Sequence, residues 1–305
     1  MKDLQRPRFL GLEEEEKGPY DLVILPIPFE MTVSWNEGTS NGPNSCIEVS
    51  SQVELYDPLL NSEIPCGLSF HTAEEWSSEE PTLRKQLDSI QKYIKPWING
   101  EQFPIVLGGE HGILLPIIEV LNEHPEVENL NQVTIIQIDA HADLRDTLNG
   151  EKFSHGTVIK RCLDAGVGKV IQIGIRAYSE EEAKIIDTDD RIETWHARDI
   201  LGVIERDTGW PKLMERITQI EGHVWLTFDI DGLDAGIVPS TGTPVPGGLS
   251  YWAAIEIIEK IFTTNSAKVI GSDINEILPG GENGLTQFNA ALITTKIIAC
   301  HISTL

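Results

Sequence analysis

Positive charge is scarce in this chain. Of 305 residues, 23 are Lys or Arg against 48 Asp or Glu, a formal net charge of -25. A phosphate backbone is held by clustered Lys and Arg that release counterions, so nucleic acid is excluded as a partner. A cationic small molecule is instead drawn toward such a surface. Long apolar runs are also missing: no stretch approaches the roughly 18 residues that cross a bilayer. Met1 to Gly18 carries Lys2, Arg6, Arg8 and the run Glu13 to Glu16 without the apolar centre of a secretory signal. No membrane partner and a cytoplasmic location are therefore expected. Cysteine is sparse too, and Cys46, Cys66, Cys162 and Cys300 form no CxxC pair, which suits reduced thiols better than a disulfide framework.

What is present is alternation. Short runs rich in Val and Ile read as strands buried on both faces: Asp21 to Phe29, Phe103 to Leu107, Val133 to Ile138, Lys169 to Ile175, His223 to Phe228 and Ala267 to Gly271. Helical spacing appears between them over Leu83 to Ile98, Ile113 to Leu121, Thr157 to Ala165, Lys212 to Ile220 and Tyr251 to Ile261. The pattern predicts an α/β protein with a mostly parallel central sheet between helices. There is no internal repeat and no low-complexity linker, so residues 21–305 read as one domain behind an acidic N-terminal extension, residues 1–20. The polar stretch Thr72 to Pro81 reads as solvated surface.

Ligands of open parallel sheets bind beyond the carboxyl ends of the strands. Acids and histidines gather at those positions: Glu110-His111, Asp139-Ala140-His141-Ala142-Asp143, Asp229-Ile230-Asp231 and Asp273-Ile274-Asn275-Glu276. Spacing by two on extended backbone puts Asp139, His141 and Asp143 on one face, and Asp229 and Asp231 repeat it. Unit charges 4 Å apart repel by about 4 kcal/mol at an effective dielectric of about 20. No lysine lies within either triplet, so two divalent cations are the economical counterweight. Imidazole mixed with carboxylate suits Mn, Fe, Zn, Ni or Co better than Ca or Mg. A pair of such ions can activate water, which favours hydrolysis over redox chemistry. A lone DxD or DxH after a strand is usually a cap or turn acid; the two acidic groups and the added His together make metal the better reading.

These residues carry a resemblance to the ureohydrolase family of arginases and agmatinases, from about Leu22 to Ile298. Family patterns of the GGDHS, DAHxD, SHG and DxDxxDP kind appear in order as Gly108 to Gly112, Asp139 to Asp143, Ser154-His155-Gly156 and Asp229 to Ala235. The resemblance implies a three-layer α/β/α catalytic domain, a homo-oligomer (trimer or hexamer) and two divalent ions, usually Mn2+ with Ni2+ open. It implies His111, Asp139, His141, Asp143, Asp229 and Asp231 as ligands, with Asp139 and Asp229 as bridging candidates. It also implies that Asp143 relays a proton, that His155 shuttles protons or steadies the substrate, and that Glu276 pairs with a guanidinium. Three departures stand out: Glu110 replaces the usual Asp, Gly112 a common Ser and Ala235 the Pro after Asp234. The extra methylene of Glu110 is expected to shift His111 or a bond that supports it.

The implied reaction releases urea and an amine from a small cationic guanidino compound, with agmatine first. Arg145 stands where arginases have Asn, which demotes arginine, and Asp146 and Glu151 are candidates to meet an amine tail. If Arg145 points inward it favours a carboxylate instead, so guanidinobutyrate and guanidinopropionate stay open, as does free guanidine. A single-metal deacetylase-like or non-catalytic relative is the reading from another class. Gly38 to Gly42 fits G-x-S-x-G, but polar residues separate it from the preceding strand. Gly166-Val167-Gly168-Lys169 lacks the remainder of a phosphate loop and reads as a helix end before a strand.

Overall fold

A computed structural model describes residues 7–14, 17–204, 206–280 and 284–305. Lys2, Arg6, Glu15 and Glu16 of the N-terminal charge pattern lie outside the described residues. Among the described residues eight strands form one parallel sheet: β1 (Leu22–Ile27), β2 (Phe70–Thr72), β3 (Phe103–Gly108), β4 (Val133–Ile138), β5 (Lys169–Ile175), β6 (Ile192–His196), β7 (Gly222–Asp229) and β8 (Ala267–Asn275). Their order is β2-β1-β3-β8-β7-β4-β5-β6. A separate antiparallel hairpin pairs Tyr56–Asp57 with Ser62–Glu63.

Side-chain alternation divides the apolar interior into two cores. Leu22, Ile24, Ile105 and Ile136 pack with α1 (Gly42–Ser50), α6 (Ala197–Leu201), α7 (Arg206–Ile217), α8 (Tyr251–Phe262) and α9 (Leu285–Ile302). Val23, Leu25, Val106 and Ile135 pack with α2 (Leu83–Ile94), α3 (Leu114–Leu121) and α4 (Val158–Ala165), and with Ile185 and Ile186 of α5 (Glu180–Thr188). These are the three layers that the fold class anticipates.

All six strands read from the sequence form within a few residues of their expected ends. β2 and β6 escaped notice because one has three residues and the other, at the sheet edge, reads Ile-Glu-Thr-Trp-His. α9 was missed for another reason: twelve of its 18 residues are buried, so no polar stripe marks its period. The segment after Thr72 is less exposed than its composition suggests, since Ala73 and Trp76 are buried. Before Gly18, Phe9 and Leu10 also enter the core, and Glu14 accepts a hydrogen bond from the Thr72 backbone at 2.9 Å. Gly166 ends α4 in the left-handed region, φ +113°, and Lys169 begins β5, as the Gly-Val-Gly-Lys run suggested.

Candidate metal centre and active-site cavity

The carboxyl ends of four adjacent strands, β3, β8, β7 and β4, carry the acids and histidines. The two glycines after Leu107 let the backbone crowd there. A Cβ on Gly108 would stand 2.0 Å from the Asn275 Oδ1, and one on Gly109 2.0 Å from the Phe29 carbonyl oxygen. His111 opens the helical turn that leads into α3, and its backbone N–H donates to Glu276 Oε1 at 2.8 Å.

The period-two motifs converge by turning, not by staying extended. β4 ends at Ile138; Asp139 Oδ1 then accepts the His141 N–H at 2.6 Å, and Asp143 takes φ +54°. Asp229 repeats the device, its Oδ1 accepting the Asp231 N–H at 2.9 Å. In both cases an aspartate closes a turn over the residue two places on, which brings the second side chain beside the first. Asp143 and Glu276, at φ +61°, are non-glycine residues held in the left-handed region. Such strain persists only where the surroundings over-determine it, and it clusters at functional sites.

Two groups result. His111, Asp139 and Asp143 offer ligand atoms that all lie within 4.8 Å of one another, and so do Asp139, His141 and Asp231. Asp139 belongs to both. His111 Nδ1 is 3.2 Å from Asp139 Oδ2, 3.0 Å from Asp143 Oδ2 and 3.8 Å from Asp229 Oδ2. His141 Nδ1 is 3.0 Å from Asp231 Oδ2 and 3.7 Å from Asp139 Oδ1. Asp229 thus stands beside the first group without completing it.

Hydrogen bonding decides which face of the His111 ring meets the acids. The Thr227 hydroxyl donates to Asp273 Oδ2 at 2.6 Å, so toward His111 Nε2, 2.8 Å away, it can only accept. Nε2 therefore carries a hydrogen, and buried Nδ1 is the nitrogen that faces Asp139 and Asp143. Burial lowers the His111 pKa, but those two carboxylates outweigh it and raise it well above its ordinary value. A cation, proton or metal ion, therefore belongs between them, and imidazole oriented through its other nitrogen is the usual form of a metal-bound histidine. The donor set fits a divalent ion in each group.

A polar row, buried except at its half-buried end Thr194, supports the second oxygen of Asp139. Asp273, Thr227, Gln137, Gln172 and Thr194 are register partners across β8, β7, β4, β5 and β6. The Thr194 hydroxyl donates to Gln172 Oε1, Gln172 Nε2 to Gln137 Oε1, and Gln137 Nε2 to Asp139 Oδ2, at 2.7, 2.7 and 2.8 Å. Sequence reasoning missed this row. Its signal was a Gln inside two otherwise apolar strands, a position that burial tolerates only when the amide is fully partnered.

Electrostatics agree with a site built for positive charge. Burial pushes Asp143 up to about 6, with the Asp139 charge adding to it, and raises Asp229 well above the carboxylate range, with Asp231, Asp139 and Glu276 adding to it. Burial lifts Glu276 to about 7. Burial lowers the His141 pKa, but the Asp231 charge and hydrogen bonds to both aspartates outweigh it and raise His141 to about 11. A proton there stabilises the fold fully below the ordinary histidine value near 6.5, and that contribution is lost as pH rises toward about 11. Divalent ions compete with the same proton and gain as it leaves. Chelated protein is therefore expected to lose thermal stability from about pH 7 to about pH 9 while Mn-saturated protein does not. Melting curves at several pH values check this; a Tm difference that narrows as pH rises would contradict it.

Above the two groups opens a cavity of about 290 Å³, lined by His111, His141, Asp143, Arg145, His155, Glu182, Asp229, Asp231 and Glu276 among others. The expected ligands other than Asp139, together with Arg145, His155 and Glu276, line it, and Asp139 lies fully buried beneath. Arg145 Nε stands 3.6 Å from Glu182 Oε2. The two acids suggested for an amine tail lie elsewhere: Asp146 accepts from Arg161 Nη2 at 2.7 Å, and Glu151 sits in an exposed turn with Leu148. Glu182, the acid that does reach the cavity, shows in the sequence only as the residue that closes the capping box begun by Ser179. Arg176 was also missed; its Nη2 donates to the carbonyls of Asp231 at 2.7 Å and Val245 at 2.6 Å, clamping the Thr241 to Gly248 loop over the centre. The Glu110 carboxylate accepts the backbone N–H groups of Met31 and Thr32.

Among the described residues no helix is long and apolar enough to cross a membrane. The chain is similar to the N(1)-aminopropylagmatine ureohydrolase of Synechocystis sp., with 31% identity over 91% of this chain and 88% of the relative. It is 30% identical to the agmatinase of Pyrococcus horikoshii over 91% of each chain. The crystal structure of the agmatine ureohydrolase of Thermoplasma volcanium superposes with a TM-score of 0.78 at 27% identity, covering 93% of this chain and 90% of the other. Residues 20–300 match the profile of the Arginase family. The chain belongs to that family, and with it to the hydrolases that act on linear amidine C–N bonds.

Proposed function

We propose that this protein hydrolyses agmatine to putrescine and urea, with His111, Asp139, His141, Asp143, Asp229 and Asp231 holding two divalent ions, Mn2+ first and Ni2+ second. The observation that carries the reading is the pair of His/Asp groups sharing Asp139 beneath a cavity walled by Glu276 and His155. Two ions there would lower the pKa of water from about 15.7 to about 7 and so supply the nucleophile. Glu276 presents a carboxylate to a planar guanidinium, a match of shape and charge. Asp143, which lines the cavity beside His111, takes up the proton that water gives up. His155, whose Nδ1 faces Thr32 at 3.1 Å, has Nε2 left to protonate the departing nitrogen as the C–N bond breaks.

The tail of the substrate is read at the other wall. Arg145 faces Glu182, so its charge is partly matched and pulls less on a carboxylate tail. This balance favours an amine tail. N(1)-aminopropylagmatine extends the same cationic tail and is the second reading, while guanidinobutyrate would need Arg145 for its carboxylate. Arg145→Asn is expected to lower guanidinobutyrate turnover relative to agmatine by roughly tenfold, the worth of one hydrogen bond to a charged group; an unchanged ratio would mean that Arg145 does not read the tail. The deciding experiment is urea release from agmatine, N(1)-aminopropylagmatine, arginine, guanidinobutyrate, guanidinopropionate and guanidine by protein loaded separately with Mn and Ni. No urea from any of them, with two ions bound per chain, would refute the proposed reaction.

A further inference from the structure

Glu110 and Thr32 hold neither a metal nor a guanidinium in the reading above, yet both are committed to one arrangement beside the cavity. Glu110 is 1% exposed. Its Oε1 accepts the backbone N–H of Met31 and of Thr32, each at 2.5 Å, and its Oε2 accepts the Thr32 hydroxyl. Three donors converge on this carboxylate. A hydroxyl has one hydrogen to give, and Thr32 gives it to Glu110. Toward its remaining neighbours Thr32 Oγ1 can only accept, and both belong to His155: the backbone N–H at 3.3 Å and ring Nδ1 at 3.1 Å. The chain of donors runs one way, from imidazole to hydroxyl to carboxylate.

We infer that Thr32 and Glu110 are positioning residues for His155, fixing its ring with the hydrogen on Nδ1 so that Nε2 is the nitrogen that exchanges protons over the metal centre. The catalytic half of this inference rests on the proposed hydrolysis; the tautomer does not. The arrangement works as a buried carboxylate does behind a general-base histidine, which it orients and whose charged form it stabilises, with a hydroxyl interposed. It also accounts for glutamate at position 110. An aspartate is shorter by one C–C bond, about 1.5 Å, and would leave the Met31 and Thr32 donors unmet unless the backbone moved. The segment joining β1 to α1 is thereby tied to the turn that carries His155, from 123 residues away.

The test is a mutant cycle on enzyme loaded with two metal equivalents, using whichever guanidino compound turns over. Thr32→Val keeps the shape and removes the hydroxyl; it is expected to lower kcat about 30-fold, the range of one hydrogen bond to a charged group, with KM changed less than about twofold. Thr32→Ser should restore most of the loss. In a His155→Asn background Thr32→Val should add almost nothing, since residues that act through one another are non-additive. Falls of equal size with and without His155, or no recovery in Thr32→Ser, would overturn the inference. Neutron diffraction from deuterium-exchanged crystals supplies a readout independent of turnover: a deuteron on His155 Nδ1 is expected in the wild type, and its absence there overturns the assignment. If no compound releases urea, the proposed function fails while the neutron result still decides the tautomer.

Discussion

Glu276→Gln is expected to keep two metal equivalents per chain and to lose about 10³-fold in kcat/KM, the scale of removing one charged contact aimed at the reacting group. The substitution is chosen for what it spares. Glu276 Oε1 accepts the His111 backbone N–H, and a glutamine oxygen can do the same, so the helical turn that aims His111 stays in place. Alanine would leave that buried N–H without a partner and confuse a loss of substrate contact with a shift of His111. What glutamine removes is the negative charge facing the guanidinium. The check is kinetics beside metal analysis of the same sample, and loss of metal from Glu276→Gln would reject the substrate role given to this residue.

Asp139→Asn is expected to fail earlier, at loading. Among the described residues Asp139 alone stands in both His/Asp groups, with Oδ2 at 3.2 Å from His111 Nδ1 and Oδ1 at 3.7 Å from His141 Nδ1. Removing its charge weakens both groups at once, and turnover should drop by at least about 10⁴-fold as water regains its ordinary pKa of about 15.7. His141→Ala, by contrast, touches one group only, the one whose histidine is 27% exposed. One equivalent lost in His141→Ala and two in Asp139→Asn is the expected pattern, read by metal stoichiometry after gel filtration. Equal losses in the two variants would show that the groups do not share Asp139.

The sequence displayed the parts of this site better than their supports. Asp139, His141, Asp143, Asp229 and Asp231 could be found because strand ends concentrate chemistry and because grouped carboxylates demand explanation. Their convergence by aspartate-closed turns, with Asp143 in the left-handed region, could not be read from spacing, since Asx turns and extended backbone share the same interval of two. Gln137, Gln172, Thr194 and Thr227 matter through alignment across strands far apart in sequence, and register is not visible in one sequence. Arg176 and Glu182 look like ordinary surface charges until the loops close around them. In the fold, strands with continuous Val and Ile were plain, whereas α9 was hidden by the burial that makes it part of the core.

The sheet order also constrains when the centre can exist. β8 follows the other seven strands of the sheet in sequence, yet it lies between β3 and β7. The six residues proposed as ligands all precede Ala267, but before β8 emerges the chain can form only two separate sheet fragments, one ending in β3 and one in β7. His111 belongs to the first and the aspartates with His141 to the second. Ion capture is therefore expected to wait for β8. A chain stopped short of Ala267 would also leave the edges of β3 and β7 open to strands of its neighbours, so a truncated product is expected to aggregate.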